Sequence, residues 1–441
     1  MNLNNFYKTT YTKSILILII AFCSFHFNFF KAVNNKWFVS HSIDSETLVF
    51  DGILNSLNQE KPYFLGNYQN KDKKVDAEKI RENFKNFQIG SDFKRYNSQY
   101  GLQVKLFGGL CSLGFCFLDF FYIITSFLMS VVIVIFYNLV KRDFSDLCAI
   151  ISTLFLILSP WIIVFSKNLF WLSFTLFLPF LVSFYFSNKL YSKRVHYFFF
   201  ISIFFAFLIK MLNGYEYVTT IFISTLVPLI YQFLEQRRSI FYLIKYSIVI
   251  FAIFVISFSV SIIMHSKSNS NNIQAHVLER FKYHTLSFDN SLLKNDTEVR
   301  HYISTSLKYF VFRDFLPWTS IGQAHLTNVD KTYIIKSFKS FNPKLLINNF
   351  SQLSKYAKIY LLNKILEITI FISILFYLIL IFKKLKKSIK YSLLFAFLSS
   401  ISWVIIGNKH SQLHLHINYI IWYIPFIPYA IISIISHRVK D

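Results

Sequence analysis

Phe120-Phe-Tyr-Ile-Ile-Thr-Ser-Phe-Leu-Met-Ser-Val-Val-Ile-Val-Ile-Phe-Tyr-Asn-Leu-Val140 runs straight into Lys141-Arg142. The run carries no charge and is long enough to cross about 30 Å of hydrocarbon as a helix. A pair of basic residues at one end holds that end on the cytoplasmic face. The pattern recurs along the chain. Further apolar segments lie at about 14–33, 145–165, 169–186, 196–209, 218–234, 241–264, 360–382, 391–406 and 418–435.

Composition agrees. Of 441 residues, 54% are hydrophobic, 20% aromatic and only 15% charged. A soluble domain needs about 25% charged residues to cover its surface. The sequence therefore predicts an all-α polytopic membrane protein, one integral membrane domain over 1–441 with about ten transmembrane helices. The first apolar segment has no small-residue cleavage site after it, so it is read as a retained span.

Lys141-Arg142, Lys189, Lys193-Arg194, Arg237-Arg238, Lys383-Lys-Leu-Lys-Lys387 and His437-Arg-Val-Lys440 fall at every second boundary. Lys8 and Lys13 precede the first span. The alternation predicts cytoplasmic termini and two long extracytoplasmic loops, 34–119 and 265–356. The formal charge of +24 is spread between spans. It suits anionic lipid or a phosphate-bearing substrate and argues against nucleic acid.

Polar residues other than anchoring Lys and Arg collect on the outer side. The first loop opens Trp37-Phe-Val-Ser-His-Ser-Ile-Asp-Ser-Glu-Thr-Leu-Val-Phe-Asp51 and so brings Asp44, Glu46 and Asp51 to the membrane boundary. An acid there can act as general base towards a lipid-linked substrate. A helix from Asp44 to Leu57 would set Asp44 and Asp51 on one face and turn Glu46 elsewhere. The loop closes through Tyr100-Gly-Leu-Gln-Val-Lys-Leu-Phe-Gly-Gly109, read with the residues up to Asp119 as a helix along the membrane surface.

The remaining candidates are cations and histidines. Lys167-Asn168 form a short outer turn, and Lys210 with Tyr215-Glu216 caps another. These residues, with Asp51 in the first loop and Arg313 in the second, are read as substrate-binding, the cations holding a phosphate. His410, His414 and His416 are read as polar contacts to substrate, with plain interfacial histidines and a divalent metal ion as the alternatives. No cofactor is otherwise called for. All four cysteines, Cys23, Cys111, Cys116 and Cys148, lie in apolar segments and are read as buried small apolar side chains.

A first span, an outer loop opening on Asp44 and Glu46, surface helices and a large later loop together resemble the GT-C glycosyltransferases. The layout is most similar to the lipid A aminoarabinose transferases and protein O-mannosyltransferases. Lys167-Asn-Leu-Phe-Trp171 after Pro160 resembles their turn between the third and fourth spans. The resemblance implies an inverting transferase that uses a polyprenyl-phosphate-linked sugar, with Asp44 as base and Glu46 assisting. Its acids are separated by one residue here, where the family has them adjacent. It further implies a bacterial cytoplasmic (inner) membrane protein that modifies a glycan or lipid acceptor outside the cell membrane. Two other readings compete. An O-antigen or capsule polymerase would rely on Arg280, Arg300 and Arg313. A flippase or transporter would need charge within the spans, and their middles carry almost none.

Overall fold

The computed structural model describes residues 3–43, 45–59, 62–68, 77–190, 193–269, 272–284, 353–413 and 418–438. In chain order the helices are α1 (Leu3–Phe27), α2 (Asn35–Ser42), α3 (Thr47–Gln59), α4 (Ala77–Lys85), α5 (Leu102–Ser112), α6 (Leu118–Asp143), α7 (Asp146–Ile157), α8 (Pro160–Lys167) and α9 (Phe174–Ser187). They continue as α10 (Lys193–Asn213), α11 (Val218–Glu235), α12 (Ile240–Asn269), α13 (Ile273–His284), α14 (Lys355–Phe382), α15 (Lys387–Ile406) and α16 (Asn408–Leu413). A 3-10 helix (Asn418–Tyr423) leads into α17 (Phe426–Arg438).

Among the described residues, seven helical stretches are long and apolar enough to cross a membrane: α6, α10, α11, α12, α14, α15 and Asn418–Arg438. The count rises to eight if α7 and α8 form one broken span, bent by 65°. Two shorter apolar helices, Tyr11–Phe27 and α9, complete the set. The protein is thus an all-α, multi-pass membrane protein.

Lipid as solvent explains the surface. Phe251, Ile256, Phe376 and Ile379 stay exposed on α12 and α14. Leaving such side chains in water would forgo about 1.5–3 kcal/mol each, which a single domain could not sustain over whole helices. The centre is built by α11, which packs on α15 and α9, while α6 packs on α1, α7 and α9.

The structure differs from the sequence expectation at three boundaries. The third apolar segment is not one straight span, because Ser159 caps a new helix by accepting from the Ile162 N–H at 3.3 Å and Pro160 occupies its first turn. The fourth helix starts at Phe174 rather than near Leu169, because residues 168–173 turn back towards the first loop. The first-loop helix starts at Thr47, preceded by α2 and by Ser45 with φ 61°. Glu46 therefore sits on a turn and not on a helix face.

The first loop also holds an antiparallel pair, β1 (Gly66–Tyr68) with β2 (Phe93–Arg95), in the register Tyr68 opposite Phe93. Asp51 accepts from the Tyr68 N–H at 3.2 Å and so fastens β1 to α3. The surface helix expected over the end of this loop is α5. The cysteine reading is corrected here: Cys111 and Cys116 form a disulfide that closes the turn between α5 and α6. Cys23 and Cys148 remain thiols.

Candidate functional site

Polar side chains meet at the end of the bundle formed by the start of α6 and the ends of α8, α10 and α12. Glu46 is the centre of the first group. Its exposure is 0%. The Tyr122 hydroxyl donates to Oε2 at 2.8 Å, and the Leu169 backbone N–H donates to Oε1 at 2.6 Å. Burial pushes the carboxyl up from its ordinary 4.5 to about 8, against the pull of those two donors and of the Arg81 and Lys167 charges. Near neutral pH the group is therefore mostly protonated, and it ionises within reach of physiological conditions.

Two cations flank it. Arg81, on α4, donates from Nε to the Tyr122 hydroxyl at 3.3 Å and from Nη2 to Ser42 Oγ at 3.0 Å. Lys167, the last residue of α8, donates to the His26 carbonyl at 3.2 Å and lies 5.0 Å from the Tyr122 ring centre. The break at Pro160 is what carries Lys167 here: α8 is buried among α1, α2 and α6, and its C-terminus points at the α2–α3 turn.

Asn168 locks this geometry. Its Oδ1 accepts from the Phe170 and Trp171 N–H groups, both at 2.9 Å, and its Nδ2 donates to the Ser42 carbonyl at 3.1 Å. The side chain thereby shapes the turn whose next N–H, from Leu169, reaches Glu46. Its position in the site is that of a clamp.

The second group lies around the α10–α11 turn. Lys210 is buried and donates to the Gly214 carbonyl at 2.6 Å. Glu216 accepts from Gln99 Nε2 at 3.1 Å, and burial raises its carboxyl above the usual range despite Lys210 and Arg280. The Tyr215 hydroxyl meets His265 Nδ1 at 3.1 Å, and His276 Nε2 meets the same nitrogen at 2.9 Å. Arg280 lies over the Tyr283 ring at 5.4 Å, and His410 meets Tyr283 edge-on at 6.0 Å. The two groups are joined through Asn213, whose amide donates at 2.8 Å to the carbonyl of Trp171 in the clamped turn.

The expected residues thus separate. Glu46, Lys167 and Asn168 come together, and Lys210, Tyr215, Glu216 and His410 gather in a second group. Asp51 belongs to neither, being committed to β1. Asp44, Arg300, Arg313, His414 and His416 lie outside the described residues. Arg81, Tyr122, His265 and His276 were not foreseen as site residues. Arg81 read as one charge in a polar tract and Tyr122 as span bulk. Only the juxtaposition of Tyr122 with an acid across the fold marks it, and sequence spacing carries no trace of that.

Among the described residues, no three His, Cys, Asp or Glu side chains gather as metal ligands would. The groove of about 330 Å³ between α14 and α17, lined by Ile370, Ile374 and Ile434 with Arg438 at its edge, contains none of the site residues. At the opposite end of the bundle the polar groups serve packing. Tyr231 and Gln232 bond Asp143, and Lys13 pairs with Asp146 at 2.5 Å. No family model, no curated protein and no solved structure matches the chain.

Proposed function

We propose that the protein is a membrane glycosyltransferase of the GT-C kind, moving a sugar from a polyprenyl-phosphate donor to a hydroxyl of a glycan or lipid acceptor. The observation that carries the reading is Glu46: a buried carboxyl titrating near 8, held by two donors and flanked by Arg81 and Lys167 where the first loop meets the spans. A general base works best when its pKa lies near the operating pH. Cations beside it suit a leaving group that gains negative charge.

In this scheme the acceptor oxygen attacks the anomeric carbon and loses its proton to a first-loop carboxylate. The carbon–oxygen bond to the donor breaks, and the polyprenyl phosphate departs with the electron pair. Direct displacement inverts the anomeric centre. Asp44 and Glu46 are the acids for the base role. Lys167 and Arg81 hold the phosphate. No step in the scheme calls for a metal ion.

The Cys111–Cys116 disulfide supports an extracytoplasmic site. Such bonds persist in oxidising compartments, and this one closes the end of the loop that carries Glu46. The basic anchors at the opposite boundaries agree with that orientation. Together with the first-loop acids, the two features support chemistry on the outer face of the membrane; residence in a bacterial cytoplasmic membrane is what the GT-C resemblance implies.

A second reading, a repeat-unit polymerase, is favoured by one observation: Arg280 is buried within the second polar group instead of lying on the surface. Mass spectrometry of surface glycans separates the two. A deletion strain complemented with Asp44→Asn or Glu46→Gln lacks one sugar if the chain is a transferase. Collapse of long chains to single repeat units points to the polymerase. A normal glycan in both complemented strains removes the transferase assignment.

A further inference from the structure

Helix α13 carries two buried polar atoms that the fold leaves without a hydrogen-bond partner: His276 Nδ1 and Arg280 Nε. The two residues are 1% and 6% exposed. The two residues are four apart and so share one face of the helix. A buried donor or acceptor left unsatisfied is costly, so the pair is poised to take a ligand.

The hydrogen-bond chain fixes what each atom offers. His265 Nδ1 faces both the Tyr215 hydroxyl and His276 Nε2. His265 also bonds the backbone of Asn97. Nδ1 being occupied, that bond falls to Nε2, where an imidazole N–H meets a carbonyl. A neutral ring has one N–H, so His265 Nδ1 is an acceptor and His276 Nε2 must donate to it. His276 Nδ1 then carries a lone pair. Burial, with the Arg280 charge beside it, holds the His276 imidazole below its usual pKa and keeps it neutral. Arg280 Nε is a donor only. Its Nη1 is spent on the Ser98 carbonyl at 2.9 Å and its Nη2 on Glu279 at 3.2 Å, so the guanidinium cannot turn away.

One fixed donor and one fixed acceptor, a helical turn apart, match a group that both accepts and donates. An anion satisfies Arg280 alone and repels the His276 lone pair; an ammonium group does the reverse. A hydroxyl satisfies both. We propose that His276 and Arg280 form a clamp for a carbohydrate hydroxyl, with Arg280 Nε donating to its oxygen and its proton going to His276 Nδ1. Within the transferase reading, on which its biological role rests, the clamp selects the sugar of donor or acceptor and takes no part in the displacement.

The test uses the purified full-length protein in detergent, melted with and without a panel of methyl hexosides. His276→Gln keeps a donor to His265 and removes the acceptor at Nδ1. Arg280→Lys keeps the charge and removes Nε. Wild-type protein is expected to gain melting temperature with at least one hexoside, and both variants to need about tenfold more of it or above. If no hexoside shifts the wild type, or His276→Gln responds as wild type does, a buried water satisfies the two atoms and the clamp is wrong. The transferase reading stands or falls separately, on the surface-glycan profiles of Asp44→Asn and Glu46→Gln.

Discussion

The backbone N–H of Leu169 donates to the carboxylate of Glu46 at 2.6 Å, across 123 positions of sequence. That bond joins the first loop to the turn after a broken span. The break at Pro160, the Asx-type clamp of Asn168 and the turn at Ser45 all converge on it. It also sets the terms on which Glu46 ionises.

Glu46 lowers stability as pH rises. Its folded pKa, about 8, lies above its ordinary 4.5, so between those values the folded state binds more protons than the unfolded one. The penalty is absent below about pH 4.5 and complete above about 8, where it reaches roughly 5 kcal/mol. Glu46→Gln is expected to lose transfer yet to melt several degrees above wild type at pH 8.5, with the two converging towards pH 5. Melting curves across that range check it; parallel curves would mean that Glu46 ionises like a surface acid.

Tyr122→Phe removes the donor to Oε2 and leaves the ring in place. A hydrogen bond to a charged group contributes about 1.5–3 kcal/mol, and one pKa unit corresponds to about 1.4. The basic shift of Glu46 should therefore increase by about one unit. The rising limb of the pH–rate profile is expected to move alkaline by that amount, with activity at pH 7 down roughly tenfold.

Gly214 and Gly109 should respond oppositely to alanine. A Cβ at Gly214 would fall 2.2 Å from Glu216 Oε2 and 2.9 Å from Gln99 Oε1, inside the second polar group. Gly214→Ala is expected to destabilise by about 1–3 kcal/mol, in the range for overpacking. At Gly109, within α5, a Cβ meets nothing within 4 Å. Gly109→Ala should stabilise by about 0.5–1 kcal/mol through the reduced entropy of the unfolded chain. Thermal unfolding of the two variants decides both.

The Cys111–Cys116 bond predicts a labelling pattern. In intact cells a membrane-impermeant maleimide should leave both cysteines unmodified, and brief reduction should open them to it. Labelling at either cysteine without reductant would remove both the disulfide and the support it gives to an extracytoplasmic first loop.

Much of this protein was legible in its residues alone. Uncharged runs such as Phe120–Val140 are long enough to cross a bilayer in only one common way, as helices whose backbone satisfies itself, so the sequence determined a multi-pass helical membrane protein. It also determined which boundaries carry basic anchors, and it singled out Glu46, Lys167, Lys210 and Glu216, because charge at a membrane boundary is costly and therefore conspicuous. Pairing was another matter. Asp51 and Glu46 are both buried acids of the first loop, yet one fastens a strand and the other lies at the centre of the site, since only packing determines which donors each carboxyl meets. Arg81, Tyr122, His265 and His276 enter through contacts between residues 11 to 76 positions apart. The tertiary structure alone decided these, because hydrogen-bond partners and buried electrostatics depend on distances between elements, which no local pattern encodes.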